Sequence, residues 1–172
     1  GRPVRFAIAN RGGIRRDLKA GMLKVGDIFE VMPFENELIV IELTGAEVLQ
    51  VMKEGLQSRG GEPVSGVRAV VEGPVEGADL TLTWADGRAI DPAETVLVAT
   101  SDYLYGSGDS MPTLKRGRKP FTSGLTIRQV LLDVCRDLKD QGQAIAPPTG
   151  GRYRIPEPLL DALAHRQPIR IR

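Results

Sequence analysis

The chain has 172 residues, 41% of them hydrophobic and 26% charged, the balance of one globular domain long enough to bury a core. Its formal net charge of +1 excludes a global basic field for a nucleic-acid polymer, so anion recognition has to come from local arginine clusters. No run approaches the roughly 20 apolar residues that span a bilayer, and the N-terminal Gly-Arg-Pro-Val-Arg stretch has no signal-peptide core, a pattern that a start inside a larger precursor also gives.

Val4 to Ala9 reads as a buried strand. It delivers Asn10-Arg11-Gly12-Gly13-Ile14-Arg15, a binding turn in which two glycines permit φ > 0 and close ligand approach while Asn10, Arg11 and Arg15 offer directional donors. Asp17 to Asp27 is polar and glycine-punctuated, and Ile28 to Met32 is expected to be extended because Pro33 disfavours helical geometry at Met32. That places Phe34 at a strand exit. Leu38 to Leu43 is almost continuously apolar and suits a central strand buried on both faces. Thr44 and Glu47 form a capping box, and Val48, Leu49, Met52 and Leu56 follow at helical spacing until Arg59-Gly60-Gly61.

Val67 to Val71 and Leu80 to Trp84 are further strands, with Leu80, Leu82 and Trp84 on one core face and Asp86-Gly87 supplying a hairpin turn toward Ile90. Val96 to Thr100 is another apolar strand, running into Ser101 to Asp109, read as a loop with two glycines. Thr126 and Gln129 cap a second helix whose apolar residues are Ile127, Val130, Leu131, Val134 and Leu138. Cys135 on that helix is alone in the chain, cannot close an internal disulfide, and reads as a small core residue. Pro147, Pro148, Gly150 and Gly151 form a linker, followed by a short strand at Tyr153 to Ile155 and a short helix at Leu159 to Ala164. Hairpin-like strands with two strong helices predict an α+β fold built on a mixed β-sheet. The domain is expected over residues 1–143, with 144–172 a linker and C-terminal tail able to pack on it.

The chain has one histidine, His165, and no cluster of His, Cys or carboxylates at metal-ligand spacing, so no metal site and no catalytic residue is expected here.

Three stretches in order carry a resemblance: NRGGIR at Asn10 to Arg15, PFEN at Pro33 to Asn36 with LTGAEV after it, and SDYLYGSGD at Ser101 to Asp109. From about Ile8 to Gln141 the sequence resembles the C-terminal domain of the 5′-nucleotidase family, which includes UDP-sugar hydrolases and cyclic-nucleotide phosphodiesterases. The resemblance implies a substrate-binding set. Phe34 and Tyr103 occupy the positions whose rings sandwich a base, a task that aromatic stacking suits. Asp109 matches the carboxylate that accepts from ribose hydroxyls, Asn10 its amide partner, and Arg15 the arginine that engages the nucleotide. Arg11 has no counterpart and reads as a solvated charge.

In that family hydrolysis belongs to a dimetal centre in an N-terminal metallophosphatase domain, whose Asp-x-His and Asn-His-Asp/Glu motifs do not occur here. The resemblance therefore implies a substrate-recognition half that is inactive alone and needs no cofactor of its own. Its partners are a nucleoside or nucleotide and the N-terminal domain of the same polypeptide, with divalent metals in that missing domain. The implied location is periplasmic, extracellular or at the cell surface. The alternative is a free-standing, non-catalytic nucleoside- or nucleotide-binding module, and a third reading is an interaction domain that has lost its pocket. One departure stands out: where the family reads Gly-Gly-Asp-Gly and an aromatic, this chain has Ser107, Gly108, Asp109, Ser110 and Met111, which puts the geometry of that loop in doubt.

Overall fold

The computed structural model describes residues 2–147, 151–165 and 169–171. Its principal sheet has five strands, β1 (Val4–Ile8), β2 (Glu37–Thr44), β3 (Val64–Ser65), β6 (Thr95–Ser101) and β7 (Arg118–Thr126), in the order β3-β1-β6-β2-β7. β1 runs parallel to β6 and the other pairings are antiparallel, so the sheet is mixed. The apolar run of β2 lies between β6 and β7, where Ile39, Ile41 and Leu43 are buried with Phe6, Val96 and Val98. Glu42 interrupts this run and is buried too, its charge met by Arg2 and by Lys119 at 3.2 Å.

α2 (Gly45–Arg59) follows β2 without a loop. Its start is a reciprocal capping box: the Glu47 N–H donates to Thr44 Oγ1 at 3.2 Å, and the Thr44 N–H to Glu47 Oε2 at 2.7 Å. Gly45 is required by close approach, because a Cβ there would lie 2.1 Å from the Asp91 carbonyl oxygen. The helix ends as its sequence dictates, at Gly60 with φ 75°. Its inner face, Val48, Val51, Met52 and Leu56, is buried.

A second sheet, not anticipated from the sequence, has the order β8-β4-β5-β9 and joins β4 (Val67–Glu72) and β5 (Glu76–Trp84) to β8 (Tyr153–Arg154) and β9 (Arg170–Ile171). Trp84 is buried and donates from its indole N–H to Glu94 at 2.7 Å. The C-terminal segment packs on this sheet: α5 (Glu157–Ala164) buries Leu159 and Ala162, and Ile169 is buried beside Leu56 and Val71. Pro148 and Gly150 of the predicted linker lie outside the described residues. The fold is α+β.

Three local expectations are corrected. The segment read as extended before Pro33 is α1 (Val25–Val31), started by the Lys24 N–H donating to Asp27 Oδ2 at 2.7 Å. Pro33 excludes only Met32 from the helix, and Met32 takes φ −129°. The stretch read as a loop after β6 is α3 (Asp102–Ser107), because Ser101 Oγ accepts from the Leu104 N–H at 3.0 Å and so caps a turn. On α4 (Ile127–Asp140) the buried residues are Arg128 and Leu132, while Val134 is 48% exposed. That helix packs against α1 and β7 at the sheet edge, so only one side of its apolar face finds cover.

Candidate functional site

The sheet register brings the three motif segments to one end. Ala7 of β1 lies beside Ala99 of the parallel β6, and Leu38 of β2 faces Ser101 of the antiparallel β6. The chain after β1, the chain after β6 and the chain before β2 therefore leave the sheet together. They carry Asn10 with Arg15, Tyr103 with Asp109, and Phe34 respectively.

Arg11–Gly13 forms a single 3-10 turn, with the Gly13 N–H donating to Asn10 O and the Ile14 N–H to Arg11 O, each at 3.0 Å. Neither Gly12 nor Gly13 takes a positive φ, which corrects the expectation that they serve a left-handed backbone. They provide room instead. A Cβ on Gly13 would lie 3.2 Å from Asn10 Oδ1, and one on Gly12 would lie 3.3 Å from Arg59 Nη1. Arg11, expected as a solvated charge, is exposed but donates from its guanidinium to Gly61 O at 3.1 Å, while its N–H donates to Glu62 Oε2 at 2.5 Å.

Phe34 and Tyr103 are 43% and 45% exposed at this end. The Arg15 guanidinium lies 5.9 Å from the Phe34 ring centroid and donates to Gly12 O at 3.1 Å, tying the turn to the aromatic segment. Asn36 donates from Nδ2 to Asp102 Oδ1 at 3.1 Å, which ties that segment to α3.

Sequence reasoning missed Arg128. Buried on α4, it donates to the carbonyls of Pro33 at 3.2 Å and Phe34 at 3.3 Å, pairs with Glu35 at 3.0 Å and lies 4.2 Å from the Phe29 centroid. It holds the Phe34 segment from beneath. An arginine in the first turn of a capped helix carries no local signal that it will reach a loop 94 residues away.

Asp109 follows the Gly108 cap of α3 and has φ 37°. Ser107, read as a doubtful departure, fixes this corner: its hydroxyl donates to Tyr103 O at 2.7 Å and accepts from the Asp109 N–H at 3.2 Å. Met111 is fully buried, and a Cβ on Gly55 would lie 3.4 Å from its sulfur, so its side chain belongs to the core. Asp109 Oδ1 accepts from Arg59 Nη2 at 3.0 Å. Arg59 and Glu62 were also missed, since a charged residue beside a helix-ending Gly-Gly pair reads as solvated.

Beside the turn lies a concavity of about 260 Å³ lined by Arg11, Glu62 and Tyr153 among others. Burial pushes the Glu62 carboxyl above its ordinary range, opposed by the Arg11 N–H and the Arg59 guanidinium. Burial likewise raises the Tyr153 phenol to about 12, and its hydroxyl donates to Glu62 O at 2.8 Å. Phe34 and Tyr103 stand outside this concavity, on open surface. Among the described residues no group of three His, Cys, Asp or Glu could hold a metal, and His165 is exposed at the end of α5. No helix among them is long and apolar enough to cross a membrane.

Comparison with known proteins shows the family and the fold. Residues 2–116 match the family described as "5'-nucleotidase, C-terminal domain". The chain is 27% identical over 167 residues to the trifunctional nucleotide phosphoesterase protein YfkN of Bacillus subtilis, covering 88% of this chain and 11% of that protein. It is also 27% identical over 167 residues to the cell wall protein Lmo0130 of Listeria monocytogenes, covering 88% of this chain and 21% of that one. A 5′-nucleotidase precursor from Thermus thermophilus superimposes with a TM-score of 0.72 at 24% identity, over 87% of this chain and 31% of the other. The chain thus spans a minor part of each relative's length. With the family matched over more than half of its residues and the fold shared, this chain belongs to the 5′-nucleotidase C-terminal domain family.

Proposed function

We propose that this chain is the substrate-recognition domain of a nucleotide phosphohydrolase, gripping the nucleoside part of its substrate. The observation that supports the reading is the departure from one sheet end of three segments that carry two half-exposed aromatic rings, a carboxylate, an amide and a guanidinium. Phe34 and Tyr103 would stack on the two faces of a base, Asp109 and Asn10 would bond the ribose hydroxyls, and Arg15 would engage the nucleotide. Arg128, Asn36 and Ser107 hold these groups in place before a ligand arrives, which lowers the ordering cost of binding.

Hydrolysis would belong to an N-terminal metallophosphatase domain of the same polypeptide, whose divalent metals activate the attacking water. This chain's contribution is to fix the nucleoside so that the phosphate is presented there. The name of the Listeria relative supports a cell-surface, extracellular or periplasmic location. Titration calorimetry of the chain with adenosine, uridine and AMP tests the reading: wild type binds at least one, and Phe34→Ala with Tyr103→Ala abolishes binding. Wild-type binding that survives the double substitution would refute the clamp.

A further inference from the structure

We propose that Glu62, acting through Arg59, is a positioning residue that sets Asp109 and the Asn10 turn in register. The proposal rests on the reading of Asp109 as a ribose acceptor and deepens it. Glu62 is 2% exposed, and a buried carboxylate is tolerated only where donors surround it. Its Oε2 takes the Arg11 N–H at 2.5 Å. Its Oε1 is fully buried without a hydrogen bond and faces Arg59 Nε at 3.7 Å, beyond hydrogen-bond range but within ion-pair distance of a guanidinium that is itself partly exposed.

Arg59 in turn reaches both walls of the site. Its Nη2 donates to Asp109 Oδ1 at 3.0 Å, and its Nη1 passes over Gly12, where a Cβ would crowd it at 3.3 Å. One buried carboxylate therefore holds the turn directly by a backbone N–H and the Asp109 corner through one guanidinium. The local chain makes this possible: Gly60 and Gly61 take φ 75° and 103°, folding the chain back so that Glu62 lies beneath the last helical residue. Asp109 needs such a hold, because a non-glycine residue at φ 37° sits in a sparsely populated region. Arg59 takes Oδ1 and leaves Oδ2 to a ligand hydroxyl.

A carboxylate that merely stabilised the fold would act on every variant alike, whereas the part of the relay that runs through Arg59 is lost once Asp109 is changed. The test is a double-mutant cycle on the 172-residue chain, titrated with adenosine by calorimetry. Glu62→Gln, which keeps the shape, is expected to weaken binding about 3- to 10-fold, and to have a smaller effect in an Asp109→Asn background, where only its hold on the Asn10 turn remains. Arg59→Met leaves Glu62 in place, is expected to behave in the same way, and stands in if the Glu62 variant does not fold. Unchanged affinity in the folded variants, or a loss that adds fully to that of Asp109→Asn, would overturn the relay. If the wild type binds no adenosine, the nucleoside reading falls by itself. The relay is then read from the Arg59 Nε–H and Asp109 carboxyl carbon resonances, which Glu62→Gln shifts if the chain of contacts exists and leaves in place if it does not.

Discussion

Arg128→Met separates the residue that carries the Phe34 segment from the segment itself. Methionine keeps the stem's apolar contacts and removes the guanidinium. The two hydrogens of Nη1 are shared among the Met32, Pro33 and Phe34 carbonyls at 3.4, 3.2 and 3.3 Å, past the optimum, so each hydrogen contributes near the low end, about 0.5 kcal/mol. The guanidinium over Phe29 at 4.2 Å adds about 0.5–1 kcal/mol. The pair with Glu35, whose side chain is 82% exposed, adds at most about 0.5 kcal/mol. The whole effect is then about 1.5–2.5 kcal/mol, which for a chain of this size lowers Tm by roughly 3–10 °C. Scanning calorimetry measures it, and aromatic proton spectra report whether the Phe34 ring becomes mobile. A Tm within about 2 °C of wild type, with an unmoved Phe34 signal, would refute the claim that Arg128 holds this segment.

Glu47 is held below the ordinary carboxylate range, first by its bonds to Arg118 and also by the Thr44 cap. A depressed folded value gives stability that is present above the unfolded value and lost as pH falls through the folded one, so Glu47→Gln should flatten the acid limb of a Tm-versus-pH curve. Glu62 has the opposite sign: the folded protein holds its proton more tightly, so stability falls as pH rises from the ordinary carboxylate range through the raised value. Glu62→Gln should erase that fall, seen as a Tm difference that changes between pH 4 and neutral. Phosphate release from AMP should be undetectable for this chain with manganese or zinc added, and turnover that survived repurification would contradict the reading. Asp109→Ala should weaken adenosine binding by about 1.5–3 kcal/mol, and Arg15→Ala should be felt more with AMP than with adenosine if it serves the phosphate.

What the sequence made legible is what local chemistry decides. The Thr44 capping box, the Gly60 stop and the apolar run of β2 were readable because each is settled within a few residues. α1 and α3 were missed because each is short and its decision rests on one capping bond, from Lys24 to Asp27 and from Leu104 to Ser101. The strands at Val67, Leu80 and Tyr153 were readable, but their grouping into a second sheet with β9 was not, because β8 and β9 are two-residue strands whose partners β4 and β5 are distant in sequence. At the site, motif order indicated Asn10, Arg15, Phe34, Tyr103 and Asp109, but not the charges that hold them. Arg128, Arg59 and Glu62 act across 50 to 94 residues, and such distances leave no periodic trace.

Exposure alone does not make an aromatic ring a binding group, and the surface of this domain supplies the contrast. Phe121 on β7 is 65% exposed, and no charged side chain described here reaches its backbone or stacks on its ring. Full burial of a Phe side chain is worth about 1.5–3 kcal/mol, so a ring left out of the core forgoes that gain. At Phe34 the fold also commits a buried arginine to the loop carbonyls and a second arginine to the ring face. At Tyr103 it commits the Ser107 hydroxyl to the residue's own carbonyl, and the Asn36–Asp102 bond to the start of the helix. Two rings left out of the core, on backbone fixed by such bonds, are what the proposed function requires of a stacking surface. The flatness of the rings, with a carboxylate and a guanidinium at the same sheet end, would suit the proposed ligand, which has a planar apolar part joined to hydroxyls and negative charge.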